Sequence, residues 1–274
     1  MIRDLSSRFR LAGVTAKAAL LGLLIGCSTV PETGRSQFTI YSNEALAPAA
    51  AQQFSQMRQE LPVSQNTQDK AMLTRVGRRV VEAARGRGAD IAPPDEWEFV
   101  LFADEQYNAF AMPGGKVGFY EGILTLMDNE AQVAAVMAHE VAHVVANHGG
   151  ERVSQQLGVS AIGAGLAIGL GQSEMDGSLQ QAIVMAYGVG SQMGVLAYSR
   201  THESEADEIG LIYMAEAGYD PREAVTFWEN MAAASGSNAP PEFLSTHPSH
   251  GTRIQDLQAQ LPRALEIYRA QGGQ

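Results

Sequence analysis

The chain has 274 residues, 45% of them hydrophobic, with 30 acidic side chains against 19 basic ones and a formal net charge of −11. That length and apolar content suffice to bury a core in one or two domains, and the charge is too low for a disordered chain. So acidic a chain lacks the basic footprint of a general nucleic-acid binder, and a single cysteine excludes an intramolecular disulfide, a cysteine-rich zinc module and an iron–sulfur cluster.

Residues 1–26 read as an export signal, with Arg3, Arg8, Arg10 and Lys17 as the positive entry region and Ala18 to Ile25 as a short apolar core. The core ends in Leu24-Ile25-Gly26-Cys27, which resembles the bacterial lipobox. The resemblance implies cleavage before Cys27 and lipidation of its thiol. Ser28 in place of aspartate favours the outer membrane, with the protein facing the periplasm. Cleavage would remove four basic residues and one acidic residue (Asp4), deepening the charge from −11 to −14. The acyl chains, rather than a basic patch, would then have to hold the membrane.

Residues 27–42 read as a lipidated tether and 43–274 as the folded domain. Helices are expected over roughly 43–60 and 68–86, separated by Pro62 and a polar run through Asn66. The second carries Met72, Leu73, Val76, Val80 and Val81 at helical spacing. Pro93-Pro94 breaks the chain, 96–103 reads as a strand, and Asn108–Met112 and Lys116–Tyr120 read as shorter extended segments around Pro113-Gly114-Gly115. Asp128 is the expected N-cap of a long helix from 129 to about 148, and Asp220-Pro221 marks a later start with proline first. The stretch 158–198, rich in Gly, Ala and Met, reads as a helical flap whose apolar runs are too short for a membrane span. The pattern predicts one α+β domain, mainly helical, with a small β-sheet beside the helix that starts at 129.

The chemistry lies in that helix, at His139-Glu140-Val141-Ala142-His143. Positions i and i+4 share one helical face, so the two imidazoles can grip one ion. Glu140 can then point at a water on that ion without ligating it, as a general base does. The flanking residues Val133, Ala134, Val136, Met137, Val141, Ala142, Val144 and Val145 make the helix apolar almost all round. Buried histidines and a carboxylate need a partner, and a metal supplies one. A third ligand is expected from Ser199 to Asp207, where spacing alone leaves His202, Glu203 and Glu205 in competition. Glu203 and Asp207, four apart, share a face.

His139-Glu140-x-x-His143 followed by Glu203-x-x-x-Asp207 resembles the M48 family of zinc metallopeptidases, which includes the Ste24-type and Oma1-type proteases. Thr33 to Gln37, Asn108 to Gly115, Asn129-Glu130-Ala131, Ser199 to Asp207 and Thr246 to Ile254 resemble its further motifs. The resemblance implies a zincin-like domain with one Zn2+ per chain on His139, His143 and Glu203. It makes Glu140 the general base and places Asp207 behind the ligands. In periplasmic relatives the histidine matching His247 can reach the metal as a fourth ligand, which makes His247 a candidate latch. Asn108, Ala109, Phe110, Ala111 and Met112 would form the strand that takes up an extended substrate. His148 and His202 read as local or carboxylate-bonding histidines, and His250 carries no assigned role. The expectation is a zinc endopeptidase of the short periplasmic lipoprotein type, acting on unfolded or misassembled envelope proteins. The alternative is a non-proteolytic chaperone or assembly factor with a structural or latched zinc. The intact Glu140 speaks against it.

Overall fold

The computed structural model describes residues 27–156, 198–234, 243, 246–247 and 252–274. The export signal expected over 1–26 and the flap expected over 158–198, its last residue apart, lie outside the described residues.

Short strands β1 (Cys27–Thr29) and β2 (Ser36–Phe38) pair antiparallel. The 27–42 segment expected as a tether therefore carries a hairpin, and that hairpin is docked. Val30 is wholly buried, and Thr33 and Arg35 at the turn bond to Glu205 far along the chain. The local sequence is polar and short, so nothing in it announced a contact made with residues about 170 positions away.

Helix α1 (Asn43–Glu60) opens at Ser42, whose hydroxyl accepts from the Ala45 N–H. Helix α2 (Thr67–Gly86) opens at Asn66, whose side chain accepts from the Gln68 and Asp69 N–H groups. Both match the expected ranges closely, because the polar residues that broke the pattern are the ones that satisfy orphan amides.

Strands β3 (Glu98–Phe102), β4 (Ala109–Met112) and β5 (Lys116–Tyr120) form a sheet ordered β3-β5-β4. β3 runs parallel to β5 and β4 antiparallel, which leaves β4 at an edge. Gly114 and Gly115 make the β4–β5 turn at φ 78° and 72°, and a Cβ on Gly115 would lie 2.8 Å from the Trp97 ring. Only glycine fits there.

After the single turn α3 (Glu121–Leu124) comes α4 (Glu130–Val145). Its cap is Asn129 rather than the expected Asp128, since the Asn129 side chain takes the Ala131 and Gln132 N–H groups. The Gln132 side chain in turn accepts from the Asp128 N–H at 2.9 Å. The helix ends three residues before the expected 148, because Asn147 turns left-handed at φ 53°. A new helical stretch, α5 (148–156), starts at His148. Then follow α6 (Arg200–Glu216), α7 (Arg222–Ala234) and α8 (Arg253–Ala270). Every residue of α4 from Gln132 to Val144 is buried, enclosed by α2, α6, α7 and β4. The fold is the expected α+β arrangement, with its most apolar helix at the centre and the small sheet against it. Among the described residues no helix is long and apolar enough to cross a membrane.

Candidate metal centre

Helices α4 and α6 meet face to face. On α6, Glu203, Asp207 and Gly210 fall at i, i+4 and i+7, one stripe of the helix. A Cβ on Gly210 would lie 3.1 Å from the His139 backbone nitrogen and 3.2 Å from its Cα. The bare glycine therefore sets how closely α6 brings Glu203 to the two histidines.

His139 Nε2 and His143 Nε2 lie 3.0 Å apart. Glu203 Oε2 is 3.4 Å from the first and Oε1 3.4 Å from the second. His247 completes the cluster, with Nδ1 3.1 Å from Glu203 Oε1 and 3.3 Å from His139 Nε2. One ligand atom from each of His139, His143, Glu203 and His247 falls within 4.8 Å of the others, and all four residues are buried.

The donor set fits a metal. The outer ring nitrogens of both helix histidines are occupied: His139 Nδ1 donates to Asp207 Oδ1 at 2.9 Å and His143 Nδ1 faces His148 Nδ1 at 2.8 Å. Their Nε2 atoms therefore converge on one buried point, which a shared proton or a bound metal ion can satisfy. Two or three imidazoles and a carboxylate suit zinc, the metal this family uses. Beside them Glu140 is fully buried with no close side-chain hydrogen bond to either carboxylate oxygen. His247 Nε2 stands 3.4 Å from Glu140 Oε1, and the Ala111 backbone of β4 lies alongside the same carboxyl.

Electrostatics divide the cluster. Burial opposes charge on His139, but the Asp207 and Glu203 carboxylates prevail and raise it to about 9. Burial keeps His143 neutral, well below the ordinary range. Glu203 and Asp207 are held low despite burial, Glu203 by the surrounding imidazoles and Asp207 by Arg253 and His139. Glu140 goes the other way, pushed up by burial. The two neighbouring carboxylates are thus pushed apart, Glu203 toward the ionised form and Glu140 toward the protonated one.

The structure thus gathers His139, Glu140, His143, Glu203, Asp207 and His247 at one site, with edge strand β4 beside it. Asn108 precedes that strand, buried, its side-chain oxygen accepting from the Ala109 N–H at 2.9 Å. Cys27 opens β1, away from the centre in sequence but on the docked hairpin. His202 and Glu205, the rival ligand candidates, are engaged elsewhere: His202 Nε2 meets Glu151 at 3.0 Å and Glu205 meets His148 at 2.9 Å.

Sequence reasoning missed three contributors. Arg253 is buried, with Nη1 3.1 Å from Glu203 Oε2, Nη2 2.7 Å from Asp207 Oδ1, and its guanidinium 3.5 Å above the Trp228 ring. Its place within the Thr246 to Ile254 motif was the only signal, and no role was read from it, because a lone arginine at the head of an amphipathic helix has no spacing that turns it inward. Tyr198 stacks on His143 at 3.8 Å, and Phe243 stacks on His247 at 4.4 Å. Both aromatics lie outside any periodic pattern.

Two histidines one turn apart on a buried helix, a glutamate from a second helix, a free carboxylate and an edge strand define a zincin-like metallopeptidase centre. The chain belongs to peptidase family M48, whose model matches residues 67–261. It is 39% identical over 170 residues to the mitochondrial metalloendopeptidase OMA1 of Schizosaccharomyces pombe, covering 62% of this chain and 48% of that protein. To the OMA1 metalloendopeptidase of Bos taurus it is 31% identical over 255 residues, 86% of this chain and 46% of the relative. To the beta-barrel assembly-enhancing protease of Yersinia pestis it is 28% identical over 268 residues, 93% of this chain and 52% of the relative. The chain spans about half the length of these curated relatives.

Proposed function

We propose that this chain is a zinc-dependent endopeptidase of the bacterial envelope, anchored by lipid at Cys27 and facing the periplasm. Its substrates in this reading are misfolded or misassembled periplasmic and outer-membrane proteins. The observation that carries the reading is Glu140: a buried carboxylate without a close side-chain hydrogen bond, between His247 and the Ala111 backbone and beside a convergent ligand cluster. A purely structural metal site has no use for it.

Zinc held by His139, His143 and Glu203 would polarise the scissile carbonyl and acidify water. Glu140 takes a proton from the attacking water as its oxygen bonds to the carbonyl carbon. It then delivers that proton to the amine nitrogen as the C–N bond breaks, a transfer favoured by its raised proton affinity. β4, an edge strand among the described residues, offers main-chain donors and acceptors to an extended substrate, and such pairing does not depend on side-chain identity. That tolerance suits unfolded clients. The lipobox-like Leu24 to Cys27 and the likeness to an assembly-enhancing protease support the envelope setting.

His247 stands between Glu140 and Glu203, 3.4 Å from the first and 3.1 Å from the second, the space this reading gives to a substrate carbonyl and the attacking water. We read it as a latch that occupies the ligand cluster until substrate displaces its segment. The same position is what would favour the non-proteolytic alternative with a permanently latched zinc, and one experiment separates the readings. The full chain is assayed for bound zinc and for cleavage of an unfolded protein such as casein. One zinc per chain is expected, with Glu140→Gln slower by about 10²–10⁴-fold and His247→Ala faster than wild type. Zinc binding without cleavage by either wild type or His247→Ala overturns the protease reading, and equal rates in those two proteins overturn the latch. Loss of palmitate labelling in Cys27→Ala tests the anchor.

A further inference from the structure

His143 is held by a route that the spacing of the ligands does not reveal. On an unbroken helix residue 148 would lie about 140° round the axis from residue 143. The left-handed turn at Asn147 (φ 53°) instead folds His148 back beneath His143, with the two Nδ1 atoms 2.8 Å apart. His148 is wholly buried, and its Nε2 lies 2.9 Å from Glu205 Oε2. Glu205 is gripped in turn from the N-terminal hairpin, by Arg35 Nε at 2.6 Å and by the Thr33 hydroxyl. Arg35 Nη2 reaches across to Glu151 Oε2 at 2.9 Å, so one guanidinium bridges two carboxylates that would otherwise repel.

The direction of every bond in this chain is fixed by its ends. A histidine that offers Nε2 to a metal keeps its proton on Nδ1. His143 Nδ1–H must then donate to His148 Nδ1. His148 therefore carries its own proton on Nε2, which donates to Glu205. The carboxylate can only accept, and Arg35 can only donate to it. The whole chain is consistent with one tautomer of His143, the one that leaves Nε2 free for metal.

We propose that His148, Glu205 and Arg35 are positioning residues of the metal centre, and that the hairpin after Cys27 is part of its support. They hold ligand His143 in the ring orientation and tautomer that present Nε2 to zinc. None of them touches the reacting atoms. This inference rests on the reading of the His139, His143 and Glu203 cluster as a zinc site.

The test measures zinc affinity of the full chain by competition with a chromophoric chelator, together with the visible spectrum of the cobalt-substituted protein. Support of a ligand histidine by its outer nitrogen is worth about 10- to 100-fold in metal affinity. His148→Leu and Arg35→Ala should each lose affinity within that range and shift the cobalt spectrum. His148→Asn, whose side-chain oxygen replaces the Nδ1 acceptor, should recover part of the loss. If His148→Leu does not fold, Arg35→Ala and His148→Asn carry the test. Wild-type zinc affinity and an unchanged cobalt spectrum in the folded variants overturn the proposal, even where thermal stability falls. A wild-type chain that binds no zinc overturns the functional reading instead, and the support role falls with it.

Discussion

His139 and His143 sit one turn apart on α4, yet they are held from opposite ends of the chain. His139 leans on Asp207, and Asp207 leans on Arg253 at the head of the C-terminal helix, at 2.9 Å and 2.7 Å. His143 leans on His148, then Glu205, then Arg35 of the N-terminal hairpin. A carboxylate against an imidazole stabilises its charged form, and His139 rises to about 9. A neutral imidazole gives no such help, and burial leaves His143 well below its ordinary value. The same residue type on the same helix face thus differs in proton affinity before any metal arrives.

The sharpest way to break this comparison is to remove the cation from each arm. Arg253 is fully buried between Glu203 and Asp207, whereas the Arg35 side chain keeps 22% of its exposure. Stripping a partner from a buried pair costs about 3–5 kcal/mol. Arg253→Met should lower the unfolding free energy by that amount in denaturant titration, and Arg35→Met by clearly less. Equal losses would mean that the two arms are energetically alike. A smaller effect is expected at Gly210, where a methyl group would press on the His139 backbone at 3.1 Å. Gly210→Ala should cost about 1–3 kcal/mol and weaken zinc binding, as read by denaturant titration and chelator competition.

The N-terminal arm also predicts an acid response. Burial works against charge on Glu151, but hydrogen bonds from His202 and Arg35 win and hold it at about 2. Between its ordinary value of 4.5 and about 2, the unfolded chain therefore binds more protons than the folded one. Stability supplied by Glu151 is present above pH 4.5 and lost as pH falls through that window. Glu151→Gln should flatten the stability profile there, and an unchanged slope would remove Glu151 from the arm's energetics. The smallest effect is expected at Asn147, the left-handed residue that swings His148 into place. Both Asn147→Ala and Asn147→Gly lose the amide bond to the Tyr41 carbonyl, but only alanine strains the left-handed backbone. Asn147→Ala should therefore cost about 1 kcal/mol more than Asn147→Gly, and equal costs would show that the backbone conformation does not set the stability of the turn.

Much of the fold was legible in the sequence. The ranges of α1, α2, β3, β4 and β5 follow from apolar periodicity and from polar caps, which act within a few residues. The caps also explain the misses. Asn129 displaced Asp128 because two candidate caps stood side by side, and only the amide geometry chose between them. The early end of α4 escaped notice because Asn147 lies inside an otherwise continuous helical pattern. The hairpin at 27–38 looked like a tether because its stability comes from Arg35 and Val30 meeting the rest of the molecule.

The sequence by itself determined which groups face one another along a single helix: His139 and His143 at one turn, Glu203 and Asp207 at one turn, and an apolar surround that forces them to find partners. These are consequences of a 3.6-residue period, which needs no tertiary information. Spacing left Glu203, His202 and Glu205 in competition, and the resemblance to the M48 motifs favoured Glu203. The tertiary structure brings Glu203 into the cluster, closes one side with Arg253 and closes the other with Glu205 and Arg35. Those choices join residues between 46 and 170 positions apart, through pairings that exist only once α6 settles against α4. Charge can be counted in a sequence; which buried charge meets which is fixed by packing.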